Sequence, residues 1–187
     1  LDDAPLEERR TQAVAARSYT DAASTRDFGH LDPAAIAAVR GEAWPEARNA
    51  EEMHDVLMSL GFVTAAEASG EPEWARWLDA LIAQGRAARW PLASGRALWL
   101  CAERLPQFQA LHPGAGAQPP LQAPREFAQA SWTAEDALVE VLRARLSGLG
   151  PVRADALADS LALPAGDVAV ALARLERDGY VMQGRYS

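Results

Sequence analysis

The sequence predicts a mainly α-helical protein that carries small β-hairpins, and three observations support this fold class. Apolar residues recur at helical spacing through most of the chain, and N-cap residues precede several of these stretches while Gly residues follow them. Two β-prone segments, 86–92 and 96–102, flank Ala93-Ser94-Gly95, which indicates a hairpin because Gly accepts a positive φ. A chain of 187 residues is long enough for two small folded units.

The first part of the chain predicts a connector followed by a folded module. Residues 1–31 form the connector, with one short and weakly amphipathic helix, and the module covers 32–112. Asp32 is an N-cap, Pro33 suits the first helical position, and Asn49 is the N-cap of the next helix. The inward residues of the second and third helices are predicted to be Met53, Val56, Leu57, Leu60, Trp74, Trp77, Leu78, Leu81 and Ile82. Three helices followed by a hairpin is the order of a winged helix.

The second part repeats this order after a linker. Residues 113–132 are rich in Pro, Gly, Gln and Ala and predict the linker, and 133–187 predict a second winged-helix module with a truncated wing. Thr133 and Asp136 have the spacing of a capping box, 150–153 predicts a short strand, and Tyr180-Val181-Met182 predicts the first wing strand. The predicted inward residues are Ala134, Leu138, Val141, Leu142, Leu149, Ala154, Leu157, Ala158, Leu161, Val168, Ala171, Leu172 and Leu175. The fold expected is therefore a pair of tandem winged-helix, or helix-turn-helix, modules.

The charge pattern opposes a free-standing DNA-binding protein. The formal net charge is −8, and every basic residue other than histidine is an arginine. Residues 1–60 hold 12 acidic and 6 basic side chains, and residues 134–187 hold 8 and 6. A protein that binds duplex DNA by itself usually presents a basic stripe that neutralises phosphates. The composition thus argues mildly against autonomous DNA binding.

The sequence carries no signal for a membrane or for secretion. No apolar run approaches the ~20 residues that span a bilayer, and the first residues lack the pattern of a signal peptide. We expect a cytoplasmic, nucleoid-associated protein without membrane partners. Because the chain starts at Leu1 and stops straight after a strand-like segment, we also expect it to be a piece of a longer protein.

The last helix of the second module raises the question of DNA recognition. In a helix-turn-helix, the second helix of the pair lies in the major groove. The face predicted to point outward consists of Gly166, Ala169, Val170, Ala173, Arg174 and Arg177. Only the two arginines can contact phosphate or guanine, and no Asn, Gln or Ser is present to read adenine. Weak contact with the DNA backbone, packing on a neighbouring domain and base-specific reading all remain open, the last being the least favoured.

Other arginines could add phosphate contacts, and each could equally be a solvated surface charge. The residues proposed to bind nucleic acid are Arg153, Arg174, Arg177, Arg185, Arg89 and Arg96. Arg86, Arg89 and Arg96 alternate with Trp90 and Trp99 around the hairpin, a mixture that can stack on unpaired bases. The alternative, which we favour, is that the tryptophans belong to the core and the arginines to its rim.

No catalytic or metal-binding pattern is found. His30, His54 and His112 lack metal-ligand spacing, and no phosphate-binding loop or nucleophile elbow is present. Cys101 is the only cysteine, so no internal disulfide or cysteine zinc cluster can form, and a buried, inert thiol is expected. We predict no catalytic residue, no metal and no cofactor in this segment.

Long strings of the sequence resemble the bacterial Lhr, or large helicase-related, family. They are "LDDAPLEERRTQAV", "LDPAAIAAVRGEAWPEARNAEEMHDVLMSLGFVT", "LWLCAERLPQFQALHP" and "GLGPVRADALADSLALPAGDVAVALARLERDGYVMQGR". The resemblance covers nearly the whole chain and is weakest around 113–130. It implies a segment at the start of the C-terminal region of a superfamily 2 helicase that moves 3'-to-5' on DNA.

The resemblance implies functions that belong to the longer protein. The helicase core would use ATP and Mg²⁺ in DNA repair, but its motifs are absent here, so no ATP site can be assigned. The partners implied are single-stranded or duplex DNA, the helicase core, neighbouring C-terminal domains and, in a homo-oligomer, further copies of the chain. Two alternatives to weak DNA contact and domain positioning remain: a protein-interaction or oligomerisation scaffold, and part of a DNA glycosylase region.

Overall fold

The computed structural model of the chain describes residues 33–184. Ile36–Gln183 form one compact unit. A second unit comprises residues 1–35 and 184–187, and the described part of it is Gly184 and the first turn of a helix that begins at Pro33. The predicted connector helix in 1–31, the Asp32 N-cap and Arg185 lie outside the described residues.

The described chain is mainly helical, with three short strands. The helices are α1 (Pro33–Ala43), α2 (Ala50–Leu60), α3 (Ala65–Gly70), α4 (Trp74–Ala83), α5 (Leu105–Leu111), α6 (Arg125–Ala128), α7 (Ala134–Gly148), α8 (Ala154–Leu161) and α9 (Ala165–Arg177). The strands are β1 (Val63–Thr64), β2 (Ala87–Pro91) and β3 (Ala97–Cys101), and a 3-10 helix (Ala102–Arg104) follows β3. Within residues 33–184, no helix combines the length and apolar character needed to cross a lipid bilayer.

Local hydrogen bonds explain where several helices begin. The Asn49 side chain accepts from the Glu52 backbone N–H at 2.9 Å, which confirms the predicted cap of α2. The Thr133 side chain accepts from the Asp136 N–H at 3.0 Å, which confirms the cap of α7. Each cap satisfies a backbone donor that the first turn of a helix cannot pair internally.

The hairpin forms where the sequence predicts it. Strands β2 and β3 pair antiparallel, with Arg89 opposite Trp99, and Gly95 adopts φ +80° in the turn between them. Strand β1 pairs with the other edge of β3, so the strand order is β1-β3-β2. Strand β2 is therefore an edge strand of the sheet.

The segment predicted as a linker covers this edge. The Arg89 N–H donates to the Gln118 carbonyl at 2.9 Å, and the Gln118 N–H donates back at 2.8 Å. The side chains of this segment that pack against the core are Ala117, Leu121, Ala123 and Trp132. The backbone pairing satisfies edge groups of β2 that would otherwise depend on water.

One large hydrophobic cluster joins the two halves of the chain. It combines Phe62, Trp90 and Phe108 from the first half with buried residues of α7, α8 and α9. Helix α7 contacts α2, α5 and α9 and is buried on most of its circumference. A second cluster fills the space between α2, α4 and the sheet. The halves therefore share a core around α7 instead of contacting only through their surfaces.

A close approach of α2 and α7 depends on a glycine. A Cβ added to Gly148, the last residue of α7, would overlap the Cδ2 atom of Leu60, the last residue of α2. Leu60 is fully buried, so its side chain has little room to move away. The absence of a side chain at position 148 is what lets the two helix ends meet.

Several sequence predictions about elements are wrong. The hairpin follows four helices, because the unpredicted helix α3 lies between β1 and α4. Among the described residues no strand forms at 150–153 or at Tyr180-Val181-Met182, since a strand needs a paired neighbour and neither segment has one. Ala134 and Ala154 are exposed because each is the first residue of its helix and precedes the buried face. The predicted inward residues Trp77, Ile82 and Leu149 are partly buried and do pack against the hydrophobic clusters.

Candidate nucleic-acid interface

Helix α9 presents the two faces that the sequence predicts. Val168, Ala171, Leu172 and Leu175 are buried and hold the helix to the core. The opposite face is exposed and consists of Gly166, Ala169, Val170, Ala173, Arg174 and Arg177. This face is accessible, and small side chains make up most of it.

An acidic residue of α7 holds one of the two α9 arginines. Arg174 Nη1 donates to Asp136 Oδ1 at 2.7 Å. This hydrogen bond lowers the pKa of the Asp136 carboxyl, and a second one from Thr133 adds to the effect. Arg177, one turn further along α9, is exposed, and no ion pair reaches it from the described residues. Positions i and i+3 are neighbours on a helix, so Arg174 and Arg177 form one cationic site. Within this site, Arg174 is already paired with Asp136.

Arg153 is paired in the same way. It stands at the N-cap position of α8, where its Nε and Nη2 donate to the Asp155 carboxylate at 3.0 Å and 2.7 Å. The hydrogen bond from Arg153 lowers the pKa of Asp155. Both side chains are well exposed, so solvent weakens this ion pair and a bound phosphate can compete with Asp155 for the arginine.

Arg96, in the hairpin turn, contacts the other end of α8. Its Nη2 donates to the Asp159 carbonyl, and its Nη1 lies 3.7 Å from Asp159 Oδ2. Residues 153 and 159 are separated by about 9 Å along a helix axis at 1.5 Å per residue. The structure thus brings Arg96 and Arg153 to opposite ends of one helix, without bringing their guanidinium groups together.

The stacking surface on the hairpin, the less favoured of the two alternatives, is only partly present. Trp90 is fully buried, so it belongs to the core and cannot stack on a base. Trp99 is partly buried, and the Arg89 guanidinium lies over its ring at 5.2 Å. Arg86 forms an ion pair with Glu51, in which Nη1 donates to Oε1 at 2.6 Å. Arg89 and Trp99 are therefore the accessible remainder of that surface.

A buried arginine that the sequence does not indicate lies between α7 and the first half of the chain. Arg145 on α7 is 3% exposed, and its Nη1 donates to the Phe62 carbonyl at 2.9 Å. Its Nη2 donates to Glu67, whose carboxylate also accepts from the Thr64 N–H at 2.8 Å. Burial lowers the pKa of Arg145, while the charge of Glu67 acts in the opposite direction. The guanidinium of this helix α7 residue binds two groups of the first half, the Phe62 carbonyl and Glu67, and is too buried to contact a ligand.

The structure also brings His54 beside Cys101 and Glu103, two nearly adjacent residues that lie far from it in the sequence. His54 Nε2 of α2 lies 3.1 Å from a carboxylate oxygen of Glu103, and Cys101 lies at the end of β3 beside them. Burial raises the pKa of the Cys101 thiol to about 12, and the Glu103 charge adds to this rise. No local spacing could reveal this group, because it depends on how α2 packs against the end of β3.

Comparisons with known proteins do not identify a family for the chain. No protein-family model matches it, and no curated protein matches it in sequence. Its function is therefore inferred from the side chains, their contacts and their charges.

Proposed function

We propose that the chain is a non-catalytic, architectural segment of an Lhr-type DNA helicase, which positions neighbouring domains and makes weak contacts with the nucleic-acid backbone. One observation carries this proposal. The helices of both halves are joined in one core around α7. The candidate DNA-binding arginines that the structure describes lie on the outside of that body, and three of the five are held by its own acidic or carbonyl groups. Such an arrangement suits a rigid spacer better than an independent DNA reader.

We further propose that each half is a winged-helix module. In the first half, the order α2-β1-α3-α4-β2-β3 and the three-stranded antiparallel sheet support this assignment. In the second half, the support is limited to the three helices α7, α8 and α9. On this assignment α9 is the helix that would approach DNA.

The proposed contact is electrostatic and weak. Phosphate binding releases counterions, and each arginine already paired with a carboxylate gains less from a phosphate. Arg153 and Arg174 are paired in this way, and the exposed side chains of Arg177 and Arg89 remain available. Tethering to a motor that is already on DNA raises the effective concentration, so a module of low affinity can still contribute. ATP and Mg²⁺ would be used by the helicase core, outside this segment.

Fluorescence anisotropy with single-stranded and duplex oligonucleotides tests the proposal. At ~50 mM salt we expect a Kd of roughly 10–100 µM without sequence preference, and a clear loss at ~200 mM salt. The triple variant R153A/R174A/R177A should weaken binding at least about threefold. Tight, salt-insensitive or sequence-selective binding would refute the proposal.

The matched control removes three other exposed arginines, in R48A/R76A/R125A. It changes the net charge equally, at residues outside the proposed interface. We expect it to weaken binding less than the first triple variant. Equal losses in the two variants would show that only the overall charge matters and that no interface exists at α8 and α9.

A protein-interaction scaffold is the second candidate function, and one observation favours it. Val170 of α9 is 68% exposed and borders a cavity of about 380 Å³ between α7 and α9. If α9 packs on another domain or subunit, R174A/R177A should leave the DNA affinity of the full-length protein unchanged. A bulky charge at Ala169 or Ala173 should then disrupt assembly, which light scattering would detect.

A further inference from the structure

Three side chains of different chemical types converge between α2 and the end of β3. Their potential ligand atoms, His54 Nε2, Cys101 Sγ and a Glu103 carboxylate oxygen, all lie within 4.8 Å of one another. Cys101 is fully buried, whereas the side chains of His54 and Glu103 are 13% and 18% exposed. The group therefore has a dry inner side and a narrow opening to solvent.

The separations fit a small tetrahedral metal ion. Zn²⁺ binds nitrogen, oxygen and sulfur at about 2.0–2.3 Å, so ligand atoms around it stand about 3.3–3.7 Å apart. His54 Nε2 is 3.2 Å and 3.1 Å from the two oxygens of Glu103. All three ligand atoms lie within 4.8 Å of one another, so the largest separation exceeds the required one by at most about 1 Å, which side-chain rotation can close.

The charges of the group also match a divalent ion. A thiolate from Cys101 and the Glu103 carboxylate supply two negative charges, and a neutral His54 adds none. A bound dication gives a net charge of zero, which removes the cost of holding an isolated thiolate in an apolar site. On binding, the thiol proton leaves to solvent and a sulfur–metal bond replaces the S–H bond.

We propose that His54, Cys101 and Glu103 form a zinc-binding site with the fourth position open to water. Nitrogen, sulfur and oxygen donors together suit this borderline metal better than Mg²⁺, which prefers oxygen alone, or Cu⁺, which prefers sulfur. Met58 Sδ lies 3.4 Å from Cys101 Sγ, and it packs beside the site without serving as a ligand. The ion would tie α2 to the end of β3, so its role is to stabilise this half of the protein.

Titration of the full chain with Co²⁺ as a spectroscopic probe tests the site. After removal of metal with a chelator, we expect one Co²⁺ per chain with a thiolate-to-cobalt absorption band, and displacement of that band by one equivalent of Zn²⁺. Zn²⁺ should also raise the melting temperature. Absence of the band, or binding of Cu⁺ but not Zn²⁺, would overturn the proposal.

Single variants identify the ligands. C101S should abolish the charge-transfer band, and H54Q and E103Q should each weaken Zn²⁺ binding at least about tenfold. The controls H112Q and E51Q change a histidine and an acid outside the group and should bind Zn²⁺ as the wild type does. Circular dichroism checks folding, and the partly exposed positions 54 and 103 keep the test valid if C101S is unstable. Binding that survives both C101S and H54Q places the metal elsewhere and refutes the site.

Discussion

Replacement of the buried Arg145 by methionine should strongly destabilise the protein. Methionine keeps most of the apolar stem but leaves the Phe62 carbonyl without the donor that now lies at 2.9 Å, and it leaves Glu67 without its cation. A buried carbonyl that loses its partner costs about 1–3 kcal/mol, and loss of one member of a buried ion pair costs about 3–5 kcal/mol. Because the Glu67 side chain is 22% exposed and the two costs overlap, we expect a total of about 3 kcal/mol, the low end of the larger range.

Urea denaturation at pH 7 measures this effect. With a slope of about 2–3 kcal/mol/M, the loss corresponds to a fall in the unfolding midpoint of about 1–1.5 M. The control R177M changes an exposed arginine and should alter stability by less than about 0.5 kcal/mol. If R145M and R177M have the same midpoint, the buried contacts do not join the halves as inferred.

A double-mutant cycle separates the ion pair from general packing. E67Q removes the negative charge and keeps one acceptor oxygen, which can accept from Arg145 or from the Thr64 N–H but not from both. In R145M/E67Q no uncompensated carboxylate remains. The fall in the free energy of unfolding should therefore be about 1 kcal/mol smaller than the sum of the falls in the two single variants. Strict additivity would contradict a direct interaction between the two groups.

Three further predictions concern stability and reactivity. G148A should cost about 1–3 kcal/mol in urea denaturation because its methyl group overlaps Leu60, whereas G166A, which meets open space on α9, should stabilise by up to about 1 kcal/mol. Burial lowers the pKa of His112, so the stability it contributes is complete above the unfolded value of about 6.5 and falls as the pH drops toward the folded pKa. H112Q should flatten the pH dependence of the urea midpoint between pH 7 and 5.5, and an unchanged slope would contradict this. Cys101, buried and with its pKa raised to about 12, should react with a thiol reagent only after unfolding; rapid labelling of the native protein would refute its burial.

Local signals in the sequence predicted most of the helices and the hairpin. The Asn49 and Thr133 caps and the inward faces of α2 and α9 occur where the pattern places them. The sequence pattern does not predict helix α3, because six residues are too few to show a helical period. Its one local signal is the capping-box spacing of Thr64 and Glu67.

Long-range contacts could not be predicted. Helix α7 is buried on most of its circumference, yet its sequence predicts an ordinary amphipathic helix. The reason is that Arg145, a charged residue, occupies one of the buried positions. The partner of Arg145, Glu67, lies 78 residues away, and Arg96 contacts Asp159 across 63 residues. These two pairs arise only when the two halves share a core, and the group at Cys101 arises only when α2 packs against the end of β3.

The proposed weak DNA contact depends most on how strongly Asp136 and Asp155 hold Arg174 and Arg153. The variant D136N/D155N frees Arg174 and Arg153 while keeping side chains of the same shape, and D79N/E126Q changes the net charge equally at exposed acids that hold neither arginine. In anisotropy titrations at ~50 mM salt, we expect D136N/D155N to bind duplex DNA at least about threefold more tightly than D79N/E126Q. Equal affinities in the two variants, or weaker binding by D136N/D155N, would contradict an interface at α8 and α9 that is restrained by its own carboxylates.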